Sequence, residues 1–193
     1  SRMNRGKREK TLTSKKIVQL LVPAGSYPRL VVLAGLPASG KSTFSDGLVE
    51  NGFVRISLDE IRKEIYGDAN IIGDWKVTRK RFDELFNSAL AEKKNIVVDN
   101  THFMRKHRQR VIDIAKEAGY VDIHVAVMDV TLEECIARNA KRERVVKEEV
   151  IREMHGWLYG SQFPNDSEGQ VTVLAPTSDR SKYKVSGYVA SAA

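Results

Sequence analysis

The chain of 193 residues is long enough for one domain, and its 41% hydrophobic content is sufficient to fill one core. Its net charge of +7 suggests a polyanionic partner, but residues 1–16 alone carry seven Lys or Arg against one Glu, so the remainder is nearly neutral. The single cysteine, Cys135, excludes an internal disulfide, so we expect a protein of the reducing cytoplasm. No early apolar stretch is long enough to cross a bilayer, so we expect no membrane contact.

Three regions follow one another along the chain. Residues 1–28 form a basic, polar leader and a turn-rich linker, interrupted only by a short apolar segment, and we expect this region to be partly disordered. Residues 29–175 contain the periodic patterns of the main domain. From residue 176 to residue 193 the composition turns to Pro, Ser, Lys and Gly with scattered aromatic residues, and we expect an irregular tail.

The main domain alternates between short apolar runs and amphipathic stretches. The runs predict strands at residues 30–34, 53–57, 95–99, 123–128 and 171–174. The amphipathic stretches predict helices at residues 42–50, 58–66, 74–93, 105–118, 132–140 and 147–159. This alternation predicts an α/β fold in which helices cover both faces of a parallel sheet of about five strands.

A glycine-rich turn joins the first predicted strand to the following helix. Its sequence, GLPASGKS from residue 35 to residue 42, fits the phosphate-binding loop pattern, whose inward-pointing amides hold the phosphates of a nucleotide. Lys41 would bind the β- and γ-phosphates of ATP, and the Ser42 hydroxyl would bind Mg²⁺. The alternative is a chance glycine turn before a helix. The expected ATP contacts of this loop are Gly35, Pro37, Ala38, Ser39, Gly40, Lys41, Ser42 and Thr43.

Two acids follow neighbouring strands at the edge where ligands bind in such sheets. Asp59 follows the second predicted strand and Asp99 ends the third, so either could orient an acceptor hydroxyl and take its proton. Asp59 could instead cap a helix, and Asp99 could bind magnesium through water. Arg62 lies three residues after Asp59, so on a helix the two side chains share a face and could contact the same substrate. Alternatively, Arg62 forms a surface salt bridge.

Arginines between the last two predicted helices suggest a mobile lid over ATP. Arg138, Arg142 and Arg144 lie in the sequence IARNAKRERVV, where they could neutralise phosphate charge. We add Arg138 and Arg142 to the expected ATP contacts. The alternative is a solvated, charged helix end.

Taken together, the blocks GLPASGKST, SLDEIR, VVDNTH, ARNAKRER and QFPNDSEG resemble the kinase module of the polynucleotide 5′-kinases of bacteriophage and eukaryotic end-healing enzymes. The resemblance extends from about residue 30 to residue 174 and implies a P-loop NTPase fold. It implies that Asp59 is the general base, that Arg62 contacts an acceptor phosphate, that Asp99 supports the acceptor site and that Arg142 contacts ATP. The expected acceptor-binding residues are Asp59, Arg62, Asp99, Thr101 and Arg105.

Two basic clusters, at residues 76–81 and 105–110, carry +4 each and would follow a phosphate backbone unless they are merely solvated. The sequence therefore predicts an ATP- and Mg²⁺-dependent kinase, with Asp59, Lys41, Arg62 and Arg142 as catalytic residues, that phosphorylates the 5′-hydroxyl end of RNA or DNA in nucleic-acid repair. One alternative is a small-molecule or toxin-type P-loop kinase. Another is a nucleotide-gated nucleic-acid-binding module without catalysis. The oligomeric state is left open.

Overall fold

A mixed sheet forms the centre of the computed structural model, which describes residues 9–189. Its strands are β1 (Lys10–Thr13), β2 (Arg29–Ala34), β3 (Val54–Ile56), β4 (Ile96–Asp99), β5 (Asp122–Met128), β6 (Gln170–Pro176) and β7 (Lys182–Gly187). Within the described residues they lie in the order β1-β7-β6-β5-β2-β4-β3. The five strands from β6 to β3 in this order are mutually parallel, as predicted, whereas β7 is antiparallel to both of its neighbours.

The helices pack on both faces of the sheet. They are α1 (Ser14–Leu21), α2 (Lys41–Glu50), α3 (Leu58–Tyr66), α4 (Trp75–Ala91), α5 (Arg105–Glu117), α6 (Leu132–Asn139) and α7 (Glu148–Tyr159). Leu30 and Val32 of β2 face α3, α4 and α5, whereas Val31 and Leu33 face α1 and α2. This alternation explains why β2 is a continuous apolar run, since both of its faces are buried. Among residues 9–189, no helix is both long enough and apolar enough to span a membrane.

The two flanks of the chain are more ordered than the sequence analysis predicted. Residues 10–21, assigned there to a partly disordered leader, form β1 and α1, and α1 buries Ile17, Val18 and Leu21 against the sheet. Part of the region 176–193, expected to be an irregular tail, forms β7, in which Val185 is fully buried. The apolar side chains recur at helical spacing in α1 and at strand spacing in β7, and both sets pack against the sheet. Residues 1–8 and 190–193, which belong to the same predictions, lie outside the described residues.

Candidate active site

The phosphate loop connects β2 to α2 at the carboxyl edge of the parallel strands. The turn between β4 and α5 fixes the first amide of the loop, because Gly35 N–H donates to the Thr101 carbonyl at 2.9 Å. Gly40 has a φ of 91°, in the left-handed region that favours glycine. A Cβ on Gly35 would lie 2.8 Å from Ser39 Oγ and 3.1 Å from Met128 Cβ, so a side chain there would displace the loop. Both glycines of the motif are therefore required by the backbone.

Lys41 is folded back over this loop. Its Nζ donates to the carbonyls of Gly35 and Leu36, each at 3.0 Å, and the side chain is buried. Burial lowers the pKa of Lys41 because it removes water from the ammonium, whereas the negative charges of Asp99 and Asp59 oppose that shift. The phosphates of a nucleotide would add negative charge beside Lys41 and so stabilise its buried ammonium further.

Three buried polar atoms close to the loop lack hydrogen-bond partners among residues 9–189. They are Ser39 Oγ, Arg138 Nε and Arg142 Nε. Buried donors are normally paired, so these three atoms are free to bind the acceptor oxygens of a ligand. Arg138 also reaches the Ala38 carbonyl through Nη1 at 3.5 Å, which places its guanidinium against the loop. The residues present fit the triphosphate of ATP.

The segment between α6 and α7 carries Arg142 and is closed by Asn139. The Asn139 Oδ1 accepts from Val146 N–H at 3.0 Å and from Arg142 Nη2 at 3.2 Å, while its Nδ2 donates to the Val146 carbonyl at 2.7 Å. Burial and the nearby Arg144 cation lower the pKa of Arg142, so an anion at this position would stabilise its charge. Asn139 thus holds this segment in one compact turn, and its closing over ATP as a lid stays a prediction.

The lid helices also share a small core with the phosphate loop. Leu36 packs with Val130, Cys135 and Ile151, so α6 and α7 are held directly against the loop. Burial raises the pKa of Cys135 to about 11, which keeps the thiol protonated and unreactive at neutral pH. The cysteine therefore serves packing.

Asp59 lies in the first turn of α3, at the same edge as the phosphate loop. Its Oδ1 accepts from Arg62 Nη2 at 2.5 Å and its Oδ2 accepts from Arg144 Nη1 at 2.9 Å. The carboxylate remains 54% exposed, so an acceptor can reach it from solvent. The interpretation of Asp59 as a helix cap is wrong, because Ser57 caps α3 through its hydroxyl. The salt bridge proposed for Arg62 does form, and its Nε also donates to the Ala69 carbonyl at 3.1 Å.

Asp99 is buried at the end of β4, between the phosphate loop and α2. Its Oδ2 accepts from Ser45 Oγ at 2.8 Å, and Ser45 Oγ also lies 3.1 Å from the Ser42 carbonyl. Ser42 itself is exposed at the start of α2. Ser45 thus joins the Asp99 carboxylate to the turn that carries Ser42. The Ser42 hydroxyl and the Asp99 carboxylate are oxygen ligands of the kind that Mg²⁺ prefers, so these residues fit that ion.

The other two residues expected in the acceptor site have different surroundings. Thr101 contributes its carbonyl to Gly35, as described above. Arg105 donates through Nη2 to the Phe163 carbonyl at 2.8 Å and places Nε 3.3 Å from Glu168. The structure thus brings Lys41, Asp59, Arg62 and Asp99 to one edge, while the Arg105 guanidinium is bound to the segment after α7.

The two basic clusters differ in their accessibility. In the cluster at residues 105–110, Arg108 is fully buried and pairs with Glu168 at 2.9 Å, and Arg110 pairs with Asp83 at 2.7 Å. The interpretation of this cluster as an exposed phosphate track is therefore wrong for Arg108, whose charge is matched inside the fold, whereas Arg105 and Arg110 are partly exposed and paired with acids. In the cluster at residues 76–81, only Arg81 forms an ion pair within the described part of the chain.

Some residues that shape the site were not identified from the sequence. Asn100 Oδ1 accepts from Leu58 N–H at 2.9 Å and so fixes the start of α3. His102, at a φ of 46°, is buried and bonds through Nδ1 to the Leu33 carbonyl at 2.6 Å, which joins the β4–α5 turn to β2. Both residues belong to the block VVDNTH and follow a predicted strand, but neither signal assigned them a role. Ser45 lies four residues after Lys41, so helical spacing could have indicated it.

Comparisons with known proteins agree with this geometry. A family model described as an AAA domain, AAA_33, matches residues 30–160. The L-seryl-tRNA(Sec) kinase of Methanococcus maripaludis is 30% identical over 136 residues, which cover 65% of this chain and 51% of that protein. The bifunctional polynucleotide phosphatase/kinase of Schizosaccharomyces pombe is 30% identical over 92 residues, which cover 47% of this chain and 19% of that protein.

Among solved structures, one titled as the Pnkp1/Rnl/Hen1 complex contains a chain with a TM-score of 0.52 and 25% identity, covering 65% of this chain and 42% of that one. The chain thus spans about half, or less, of the length of these relatives. The family model, in contrast, covers more than half of the chain. The chain therefore belongs to the AAA_33 family and has the α/β fold of the P-loop kinases.

Proposed function

We propose that this chain transfers the γ-phosphoryl group of ATP to an alcohol carried by a nucleic acid, and that the acceptor is the 5′-hydroxyl end of RNA or DNA. The observation that carries the proposal is the Asp59 carboxylate, accessible from solvent, held by Arg62 and Arg144, and close enough to the buried Lys41 to influence its pKa. An acid opposite a phosphate loop is what a hydroxyl kinase requires.

The proposed reaction assigns one task to each group. The acceptor oxygen forms a bond to the γ-phosphorus, the bond from that phosphorus to the β-phosphate bridging oxygen breaks, and ADP leaves. Asp59 takes the proton of the hydroxyl, and Arg62 orients an acceptor phosphate. Lys41, Arg138 and Arg142 stabilise the charge on the transferring group. Mg²⁺, held by Ser42 with Asp99 nearby, would neutralise phosphate charge when it is bound.

The identity of the acceptor can be tested directly with labelled ATP. The protein would be offered RNA and DNA oligonucleotides with 5′-hydroxyl ends, the same oligonucleotides with 5′-phosphate ends, and a panel of small alcohols. We expect label on the 5′-hydroxyl oligonucleotides alone. Transfer to a small alcohol in preference to every oligonucleotide would reject the proposal in favour of a small-molecule kinase.

A second candidate acceptor is the hydroxyl of a seryl group attached to tRNA. It is favoured by the match to the L-seryl-tRNA(Sec) kinase, which covers more of this chain than the match to the polynucleotide kinase does. The two acceptors can be separated with seryl-tRNA that already carries a 5′-phosphate. Label that mild base releases as phosphoserine would assign the seryl group, whereas label that stays on the 5′ end of a hydroxyl-ended RNA would assign the terminus.

A further inference from the structure

An exposed surface of unusual composition adjoins the candidate active site. It consists of the loop after α3 and the first turns of α4, and we call it the α4 platform: Ile71, Ile72, Trp75, Lys76, Arg79 and Lys80. Ile72 is 63% exposed and Trp75 is 51% exposed. The three cations line a shallow depression of about 450 Å³ on the same helix. Large apolar side chains beside cations on a surface indicate a binding site rather than a solvated face.

The platform is attached to the residues around Asp59. Arg62 and Arg144, which both bind the Asp59 carboxylate, also bind the loop that leads into the platform: Arg62 Nε donates to the Ala69 carbonyl at 3.1 Å, and Arg144 Nε donates to Asn70 Oδ1 at 3.0 Å. The platform therefore begins next to the carboxylate. A polymer whose end lies at Asp59 would meet this surface first.

The cations of the platform are available for a ligand. Among residues 9–189, Lys76, Arg79 and Lys80 form no ion pair. The acids beside them on α4 have other partners, since Asp83 binds Arg110 and Glu84 binds Arg81. Asp74, at the start of the helix, accepts from the backbone of Lys76. The depression is thus lined by these three cations together with Asn87 and the acids Asp83 and Glu84, and both acids are paired with other arginines.

We propose that the α4 platform binds a single-stranded segment of the nucleic-acid acceptor, with its phosphates on Lys76, Arg79 and Lys80 and a base stacked on Trp75. Single-strand binding sites combine these two elements, a cationic track for the backbone and an aromatic face for the bases. The inference rests on the proposed function in assuming that the acceptor is a nucleic acid. It adds the location and the mode of polymer binding.

The test compares two variants with matched controls. Trp75→Ala is compared with Trp157→Ala, whose side chain is similarly exposed at 45% but lies on α7. Arg79→Glu/Lys80→Glu is compared with Lys94→Glu/Lys116→Glu, which changes the net charge equally at the opposite, amino edge of the sheet. Urea unfolding of all four variants shows whether each of them is folded.

Binding is measured by the fluorescence anisotropy of a 3′-labelled, 5′-hydroxyl oligonucleotide of about ten nucleotides, without ATP, at several salt concentrations. Trp75→Ala should weaken binding about tenfold, the loss of one stacking contact. The double Glu variant should weaken it at least about tenfold and reduce the slope of log affinity against log salt by about one unit. Neither control should change affinity by more than about twofold.

A parallel transfer assay on the oligonucleotide and on a 5′-hydroxyl dinucleotide separates this inference from the proposed function. Platform variants should lose much more kcat/KM for the oligonucleotide than for the dinucleotide, because the single internucleotide phosphate of the dinucleotide cannot contact Lys76, Arg79 and Lys80 together. If both platform variants bind the oligonucleotide as tightly as the wild type, the inference is overturned. If they lose binding but the wild type transfers no phosphate to any nucleic acid, the binding site stands and the proposed function fails.

Discussion

Replacing Asp59 with Asn tests the proposed chemistry most directly. The amide keeps the size of the side chain and an oxygen for the arginines, but it cannot take a proton. Loss of a general base should lower the transfer rate by about 10²- to 10⁴-fold, which corresponds to about 3 to 5 kcal/mol of barrier. The ion pairs to Arg62 and Arg144 involve a carboxylate that is 54% exposed, so their weakening should change the free energy of unfolding by less than about 1 kcal/mol.

The assay is single-turnover transfer from labelled ATP, combined with urea unfolding and a measurement of ATP affinity. Glu64→Gln is the matched control, because Glu64 lies on the same helix, is 50% exposed and pairs with Arg81 at 2.9 Å. It should change neither transfer nor ATP affinity. A transfer rate for Asp59→Asn within about threefold of the wild type would refute the role of Asp59 as the base. A matching loss of ATP affinity would show instead that Asp59 supports the nucleotide.

Three further predictions concern the loop and the core. Lys41→Met should abolish the rise in Tm that ATP produces in the wild type, because it removes the ammonium that would bind the phosphates. It should not lower the Tm of the free protein, because it also removes a charge that is costly to bury. An undiminished effect of ATP on Tm would contradict the role assigned to Lys41. Glu168→Gln should destabilise the fold by about 3 to 5 kcal/mol in urea unfolding, because it leaves the Arg108 charge buried without its acid, and a loss below about 1 kcal/mol would disprove this. Burial lowers the pKa of His102 from 6.5 to about 4, so between these pH values the unfolded chain binds a proton that the folded chain does not. The free energy of unfolding should therefore decrease on acidification from pH 6.5 to pH 4, and His102→Asn, whose side chain tolerates the positive φ, should remove up to about 3 kcal/mol of that decrease; an unchanged pH profile would argue against it.

The parallel part of the sheet could be predicted from the sequence because its strands are buried on both faces. β2 and β4 are continuous apolar runs, and such runs have few other interpretations next to amphipathic helices. The antiparallel strands β1 and β7, at one end of the sheet, could not be predicted in this way. Their sequences, KTLT and KYKVSG, are mostly polar, and they pair with each other across most of the chain length. Their partners cannot be read from local composition.

The candidate site likewise contains some features that the sequence predicts and others that it does not. The spacing of the phosphate loop identified Gly35 and Lys41, since the motif itself reflects the backbone geometry that phosphates require. Charge counting, in contrast, could not distinguish the exposed Arg79 from the fully buried Arg108. Whether a cation faces solvent or an internal acid depends on distant residues such as Glu168, which is 60 positions further along the chain from Arg108.

The pairing of β1 with β7 has a consequence for the order of events during synthesis. Lys10 lies opposite Val185, so this contact closes a loop that contains nearly the whole domain. Contacts between such distant positions form late, because the intervening chain must first become compact. On the ribosome, β1 would therefore lack its strand partner until β7 had emerged. During that interval the unpaired backbone of β1 could associate with a neighbouring chain.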